Sequence, residues 1–257
     1  DLDRQNKLPA KWYPELPDKP ITDKCFIYVD AINNTGSGHS NSATTWKNLM
    51  GGTNGSKVGS IKWQDDALVL TRTEKQANGF RFMTSSPSAV TIEAVFSIDG
   101  DPVHDEGVLL GSSESVIVGC PQSGGVGSYL MHNESFSGLT SLANDKDLQT
   151  YVIQNLHSRP EKGRKIYTCL RVDSSKLISN TSLSSARFES KCSLRYADKN
   201  RAPWAIGYNS HHESPWFAET LLSQFIGKVY SVRIHSRVLT DEEIHKNMLY
   251  ERNRYNF

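Results

Sequence analysis

The sequence predicts an all-β protein, a two-sheet sandwich that ends in one short helix. Short apolar runs rich in β-branched and aromatic residues recur along the chain, separated by the Gly, Asn and Ser clusters that are typical of turns. Helical signals occur in one segment only, close to the C-terminus. Many short strands and a lone terminal helix together favour a β-sandwich.

The clearest strand is the run Thr91–Ile98, in which even positions are apolar and odd positions, such as Glu93, are mostly polar. This alternation places the apolar side chains on one face of a sheet. Trp46 and Trp63 are expected in the core, because each would bury a large apolar area. The other predicted strands are residues 26–29, 67–70, 108–110, 115–118, 151–156, 165–172, 204–208 and 225–235.

The last predicted strand, residues 225–235, changes parity within the run. Its apolar residues fall at odd positions up to Val229 and at even positions from Val232 onward. A β-bulge near Tyr230–Ser231 accounts for this change, and so does a strand that is buried on both faces.

One helix is predicted after residue 240. Thr240 and Glu243 have the spacing of a capping box, and the acidic residues of the first turn suit the helix dipole. Ile244 and Met248 lie one turn apart and give the helix an apolar stripe. The helix is therefore expected to pack on the sandwich.

Residues 1–24 are predicted to form a proline-rich arm, and residues 25–257 one domain. Four prolines in this stretch block helix and central strand. The arm is either a linker from a preceding domain or a segment that lies across the main body with Trp12 as its anchor. We favour the second, since free linkers seldom carry adjacent aromatic residues such as Trp12 and Tyr13.

Charge and hydropathy exclude two classes of partner. The 257 residues carry 29 Lys and Arg against 28 Asp and Glu, a formal net charge of +1. A nucleic-acid-binding protein normally shows a basic excess or a basic stripe, so no nucleic-acid partner is expected. No run approaches the roughly 18 consecutive apolar residues of a membrane span, so no membrane insertion is expected.

The four cysteines lie far apart and none has C-x-x-C spacing, which counts against a zinc ribbon or a redox motif. They allow either two disulfides or four buried thiols. If one pair forms, we expect it to join Cys169 and Cys192, since two nearby strands could bring these residues together.

The C-terminal sequence carries a resemblance to a known family. Residues 225–244 read FIGKVYSVRIHSRVLTDEEI. They resemble the strand F-x-G-x-I/V-x-x-V-R-I-Y and the following N-R-x-L-S/T-x-E-E-I that end the laminin G-like, concanavalin A-like jelly-roll domains. His235 and Ser236 stand where the family usually has Tyr and Asn. Further segments that resemble strands of the family are 28–31, 46–49, 91–96 and 204–208.

The resemblance implies a concanavalin A-like two-sheet jelly roll over residues 25–257. In its last strand Gly227 permits a close approach or a bend, and Arg233 is expected to face solvent or to pair with an acid. This fold hosts lectins, carbohydrate-binding modules, adhesion domains, surface and phage proteins, and glycosidases. The resemblance therefore predicts the fold more closely than the function.

A candidate glycan-binding segment, residues 207–217, lies in the loop between the predicted strands at 204–208 and 225–235. It combines two aromatic rings, which can stack on a sugar, with amide, imidazole and carboxylate groups that can hydrogen-bond sugar hydroxyls. The alternative is that the aromatic side chains fold back over the edge of the sandwich and the histidines are solvated. The candidate ligand-binding residues are Tyr208, Asn209, His211, Glu213 and Trp216.

A second candidate site lies in the segment 30–38, which is rich in oxygen ligands. Related jelly rolls often bind calcium through loop Asp and Asn residues, and Asp30 and Asn33 are the candidate ligands here. Calcium is therefore a candidate cofactor. The alternative is that these residues serve as structural turn formers.

The function that these patterns favour is a non-catalytic carbohydrate-binding or adhesion module of a secreted, cell-surface or virion protein, with a glycan or polysaccharide as its ligand. The sequence lacks the E-x-D-x-E strand motif of glycosidases with this fold, and no catalytic residue is predicted. One alternative is a structural or protein-interaction subunit of a surface or phage assembly. The other is a glycoside hydrolase or lyase with a non-standard site.

Overall fold

The chain forms two antiparallel sheets and one helix, which confirms the predicted all-β sandwich with a C-terminal helix. A computed structural model describes residues 16–71, 77–84, 90–99, 107–112, 116–120, 127–130, 151–153, 162–172, 176–181, 184–191, 204–208 and 225–257. The elements in these ranges are β1 (Cys25–Asp30), β2 (Thr45–Trp46), β3 (Gly55–Val58), β4 (Lys62–Gln64), β5 (Ala67–Leu70), β6 (Gly79–Phe82), β7 (Val90–Ile98), β8 (Gly107–Ser112), β9 (Val116–Cys120), β10 (Gly127–Leu130), β11 (Tyr151–Ile153), β12 (Ile166–Val172), β13 (Lys176–Thr181), β14 (Ser184–Lys191), β15 (Trp204–Ile206), β16 (Gly227–His235) and α1 (Asp241–Tyr255).

The first sheet has the order β14-β13-β12-β7-β16-β5-β4. Its central strand β16 pairs with β7 along its whole length, and it shares its other edge between β5 and β1. The second sheet has the order β11-β10-β9-β8-β15-β6-β3-β2. The chain therefore crosses from the second sheet to the first between β15 and β16.

The main core lies between the two sheets. Trp46 of the second sheet packs edge-to-face on Trp63 of the first, with ring centroids 5.1 Å apart. Phe80 contacts both indoles at 5.5 and 5.6 Å. Trp46 is 0% and Trp63 4% exposed, so their predicted place in the core is confirmed. Rings of this size each bury about 150–250 Å² and supply much of the hydrophobic stabilisation.

A second core lies between the outer face of the first sheet and helix α1. Val95 and Tyr167 of the sheet pack against Ile244 and Tyr255 of the helix, and Met248 packs at its margin. The predicted capping box is present, since Thr240 and Glu243 bond each other's backbone N–H groups. The apolar stripe predicted for the helix is thus confirmed as its packing face.

The helix changes the environment of β7. All nine of its residues are buried, so the polar face that alternation predicts, including Glu93, lies under the helix. Strand β16 is buried on both faces in the same way, and its register shifts between Val229 and Ser231. Both explanations of the parity change, a bulge and two-sided burial, are therefore confirmed.

The disulfide favoured from the sequence is not formed. Cys25 and Cys169 are buried free thiols. Cys169 lies inside β12, where its register partners are Glu93 and Asn180. Burial raises the pKa of the Cys25 thiol to about 12, so this side chain is uncharged at neutral pH.

Within the described ranges, no helix has the length and apolar character needed to cross a membrane. Trp12, the predicted anchor of the arm, lies outside these ranges.

Candidate functional site

The predicted glycan-binding segment begins directly after β15. Tyr208 is fully buried, so its ring is not available for stacking on a sugar in this structure. Asn209, His211, Glu213 and Trp216 lie outside the described residues. Among the predicted ligand-binding aromatics, Trp216 therefore becomes the stacking candidate.

The chain is joined across the loop that contains this segment by a backbone hydrogen bond between residues 207 and 225. The Phe225 N–H donates to the Gly207 carbonyl oxygen at 3.0 Å, and the Phe225 ring packs on Phe96 with centroids 5.8 Å apart. Gly207 has φ +95°, and a Cβ at this position would lie 2.7 Å from the Asn78 carbonyl oxygen. Glycine is therefore required where the segment leaves β15.

The Asn78 side chain hydrogen-bonds two other chain segments beside Gly207. Its side chain is 1% exposed, accepts from the Ser60 N–H at 2.7 Å and donates to the Thr71 carbonyl oxygen at 2.8 Å. A buried amide that satisfies two separate backbone groups acts as a cross-link. The chain beside Gly207 is therefore cross-linked by this amide.

Asp30 is 1% exposed and lies among the chain's own polar groups, although its Oδ2 has no partner with hydrogen-bond geometry. Its Oδ1 accepts from the Ile32 N–H at 2.8 Å and the Tyr255 hydroxyl at 3.0 Å, and its Oδ2 forms an ion pair with Arg254 at 2.7 Å. The Asn33 Oδ1 accepts from a backbone N–H within the same turn at 2.8 Å. These contacts fit the structural-turn alternative, and a calcium ion would have to displace Arg254. The described residues contain no group of three or more His, Cys, Asp and Glu able to hold a metal ion.

A buried polar cluster, which sequence reasoning missed, lies between the first sheet and helix α1. Its centre is Glu93, 1% exposed. The Glu93 Oε2 accepts from Arg233 Nε at 3.2 Å, His235 Nε2 at 2.9 Å and Asn247 Nδ2 at 2.8 Å. We call it the Glu93 cluster; its members are Glu93, Tyr167, Arg233, His235, Asn247 and Glu251.

Arg233 joins the sheet to the helix within this cluster. Its guanidinium donates to the Glu251 carboxylate of α1 and lies 5.4 Å from the centroid of the Tyr28 ring. The Tyr167 hydroxyl donates to the remaining Glu93 oxygen at 2.5 Å. Arg233 thus pairs with acids, as one of its two expected roles, but it does so inside the protein.

The two carboxyl groups of the cluster have opposite pKa shifts. Burial alone would raise the pKa of Glu93, but the charge of Arg233 and the hydrogen bonds from His235 and Tyr167 outweigh it and bring the pKa to about 2. Burial raises the pKa of Glu251, and Arg233 only partly opposes it. Both carboxyl groups are 0–1% exposed, so this cluster joins the sheet to the docked helix and is closed to a substrate.

These shifts predict a maximum of stability in mild acid. The contribution of Glu93 is present above its unfolded value of about 4.5 and is lost as the pH falls toward about 2. The raised pKa of Glu251 means that the folded state loses stability as the pH rises from about 4.5 through the folded value. Urea unfolding over a pH series should show the free energy of unfolding falling on both the acid and the alkaline side of this maximum.

The variant Glu251→Gln separates the two effects, because it removes the titrating group and leaves Glu93 in place. It should flatten the decline of the free energy of unfolding on the alkaline side of the maximum and keep the acid-side loss. An unchanged alkaline flank in this variant would contradict the assignment to Glu251.

No known protein family matches this sequence, and no curated protein matches it. Solved structures do match. A Trypanosoma rangeli sialidase in complex with sialic acid matches over 97% of this chain and 38% of its own, with a TM-score of 0.59 and 12% identity. The chain thus spans little more than a third of that enzyme.

Two further structures match over nearly their whole length. Domain 4 of AbnA, a GH43 extracellular arabinanase from Geobacillus stearothermophilus, in complex with arabinotriose, covers 88% of this chain and 98% of its own, with a TM-score of 0.56 and 15% identity. The exoplasmic/lumenal domain of VIP36 in its metal-free form covers 87% and 95%, with a TM-score of 0.52 and 10% identity. At these identities the similarity shows the fold, a β-sandwich.

Proposed function

We propose that this chain is a non-catalytic carbohydrate-binding module with a concanavalin A-like, laminin G-like jelly roll. The observation that supports the proposal is the geometry of the chain on either side of the candidate segment. Gly207 and Phe225 are joined by a backbone hydrogen bond, and Asn78 cross-links the chain beside Gly207. Fixed ends restrict the conformations of the chain between them, which lowers the entropy that binding a ligand costs.

The fold supports the same proposal. Domain 4 of AbnA, which matches the chain over nearly its whole length, was solved with arabinotriose bound. Fold similarity alone does not transfer a ligand, so the class of ligand rests on the residues of the segment.

Binding would combine stacking with hydrogen bonds. The Trp216 ring would lie against the C–H face of a sugar ring, and Asn209, His211 and Glu213 would bond its hydroxyl groups. A single shallow contact of this kind is weak, so several modules acting together on a polymeric glycan would supply the avidity. Such a module belongs on a secreted, cell-surface or virion protein, where it would act in adhesion.

The substitution Trp216→Ala tests this site. We expect the affinity for a glycan selected on an array to fall about two- to tenfold, because a stacked aromatic supplies about 0.5–1.5 kcal/mol of such a contact. The melting temperature should stay unchanged, since the proposal places this ring at the ligand and outside the core. Calorimetric titration and thermal unfolding of the same samples measure both quantities.

Tyr208→Phe is the matched control. The Tyr208 side chain is fully buried, so removal of its hydroxyl should leave the glycan affinity unchanged. A Trp216→Ala variant that binds like the wild type would overturn the proposed site. A blank array would overturn glycan binding itself for the glycans printed and favour the assembly-subunit alternative, and release of reducing ends from a polysaccharide would favour the enzyme.

Calcium is tested in the same experiment by adding a chelator. Calcium at Asp30 would be supported by two results together. Glycan binding by the wild type would be lost with chelator and restored by calcium, and the Asp30→Asn variant would not bind the glycan even with calcium present. The Arg254 ion pair on Asp30 makes the other result our expectation, namely binding that chelator leaves unchanged.

A further inference from the structure

Four asparagines stand in N-x-S/T triplets, the pattern shared by acceptors of N-linked oligosaccharides. They are Asn33, Asn54, Asn133 and Asn180. Such triplets arise by chance in a chain rich in Asn, Ser and Thr, so the pattern alone does not distinguish an acceptor from a coincidence. The structure describes the side-chain contacts of Asn33 and Asn54, and these can be compared with what the modification requires.

Asn33 lies in the turn that follows β1 and holds this turn by one end of its amide. The Asn33 Oδ1 accepts from the Gly38 N–H at 2.8 Å. Because a backbone N–H needs an acceptor, the oxygen of the amide, and not its nitrogen, must face Gly38. The Asn33 Nδ2 has no hydrogen-bond partner among the described residues, and the residue is partly exposed.

Asn54, directly before β3, repeats this arrangement. Its Oδ1 accepts from the Asn48 N–H at 3.0 Å, its Nδ2 bonds none of the described residues, and it is partly exposed. The asparagines beside these two differ from them. Asn34 and Asn48 are 0–1% exposed, and their Nδ2 atoms donate to the carbonyl oxygens of Ser40 and Phe26 at 2.9 and 2.8 Å. Both ends of these buried amides are thus used by the fold.

The two triplets contact the same stretch of chain after β2. The Lys47 N–H donates to the carbonyl oxygen of the middle residue of the first triplet at 2.9 Å. The next N–H, that of Asn48, donates to Asn54 in the second triplet. Thr35 and Ser56, whose hydroxyl groups complete the triplets, are exposed.

We propose that Asn33 and Asn54 are acceptors of N-linked oligosaccharides. In the transfer, the Nδ2 of the asparagine forms a bond to the anomeric carbon of an oligosaccharide that is carried on a lipid diphosphate. The bond from this carbon to the diphosphate oxygen breaks, the lipid diphosphate leaves, and Nδ2 gives up one proton. The modified side chain keeps its Oδ1 and one N–H.

The modification keeps the hydrogen bond that each of these side chains makes. The sugar is attached to Nδ2, so Oδ1 still accepts from the N–H of Gly38 or of Asn48. The same modification at the Asn34 side chain would take a proton from the Nδ2 that bonds Ser40 and would place a sugar where the fold excludes water. The oligosaccharide is transferred before the chain folds, so these contacts determine which modified residues the folded domain accommodates.

Expression of the full chain behind a cleavable secretion signal in a eukaryotic host tests both acceptors. Peptide:N-glycosidase releases each oligosaccharide and converts its asparagine to aspartate, so peptide mass spectrometry should find this conversion at residues 33 and 54. Asn33→Gln and Asn54→Gln should each remove one oligosaccharide from the intact protein. Thr35→Ala and Ser56→Ala should remove the same two, although the asparagines remain, because transfer requires the hydroxyl group of the triplet.

Asn41→Gln is the matched control. Asn41 is exposed in the same part of the chain and uses its Oδ1 in a contact with His39 at 2.9 Å, but Ala43 stands where a triplet needs a hydroxyl group. This variant should carry as many oligosaccharides as the wild type. An unconverted residue 33 or 54 in the secreted chain, or a conversion that persists in Thr35→Ala or Ser56→Ala, would overturn the assignment of that residue.

Hydrogen exchange tests the geometry on which the assignment depends. The Gly38 and Asn48 amides should be protected equally in the glycosylated chain and in unmodified chain from a bacterial host. They should exchange about fivefold faster in Asn33→Ala and Asn54→Ala respectively, because each variant removes the acceptor of one amide. A loss of protection at these amides on glycosylation would overturn the proposed fit of the sugar to the fold.

The inference rests on the secreted or cell-surface placement within the proposed function, and glycan binding is measured separately. A secreted chain that carries both oligosaccharides and binds nothing on the array would overturn glycan binding and support the two acceptors. A chain that binds a glycan but is unmodified at residues 33 and 54 would overturn the acceptors alone.

Discussion

Replacement of Arg233 by methionine is expected to lower the free energy of unfolding by about 3–5 kcal/mol. Arg233 is 1% exposed and is the cation between two buried carboxyl groups, Glu93 and Glu251. Methionine fills much of the volume but leaves those groups without their positive partner in a region closed to water. A domain is stable by only about 5–15 kcal/mol, so this loss is a large fraction of the whole. Urea unfolding measures it.

Arg237→Met is the matched control, because it removes an arginine from an ion-paired site two residues beyond β16. Its side chain is 22% exposed, and its partners Asp23 and Glu243 are 66% and 24% exposed. Solvent screens these pairs, and even with the bidentate Glu243 contact the control should lose clearly less than the roughly 3–5 kcal/mol expected for Arg233→Met. A triple variant, Arg233→Met with Glu93→Gln and Glu251→Gln, should recover part of the loss, since the uncompensated charges are gone. Equal losses for Arg233→Met and Arg237→Met would contradict the importance of burial.

Local signals in the sequence predicted several elements well. The capping box needs only Thr240 and Glu243, and the bulge near Tyr230–Ser231 leaves its mark in the parity of one strand. The capping box depends on contacts within a few residues of the chain, and the bulge is recorded in the order of apolar residues within one strand. The core tryptophans follow from size alone.

The Glu93 cluster depends on contacts that the sequence pattern does not contain. Glu93 and Arg233 are 140 residues apart, and they meet because β7 and β16 are register partners at these positions. Glu93 is polar in an alternating strand, which normally indicates an exposed face. Helix α1 packs on that face, so Glu93 is buried instead of exposed. In the sequence, the apolar stripe of the helix was the one signal that a sheet face would be covered.

The candidate glycan site likewise has features that the sequence predicts and features that it does not. A mixture of aromatic and polar residues marks the segment as a candidate, but composition carries no information on which ring is buried. Tyr208 lies two residues after β15 and is buried as β15 is. Trp216 and the polar candidates remain predictions for the binding experiment. Asp30 shows that the oxygen atoms of such a turn can pair with groups of the protein itself. The sequence pattern did not indicate this, because its partner Arg254 lies 224 residues further along the chain.

Gly227→Ala is expected to cost about 3 kcal/mol or more of the free energy of unfolding. Gly227 is the first residue of β16 and is the register partner of Ile98 in β7. A Cβ at this position would lie 2.1 Å from the Ser97 carbonyl oxygen, a distance that real Cβ atoms do not reach. The obstacle is backbone in the middle of a sheet, so the strands must separate and the Phe225 ring beside them, 2.9 Å from the same Cβ, must also move.

The control for this substitution is Gly51→Ala. Gly51 has φ +79°, which strains alanine, but a Cβ there meets nothing within 4 Å. It should therefore cost only the backbone strain of about 1–2 kcal/mol. Urea unfolding of both variants compares a steric clash in the sheet with conformational strain in a turn. If Gly227→Ala loses no more stability than Gly51→Ala, β16 and β7 do not approach as closely as described, and the expected role of Gly227 as the point of close contact is wrong.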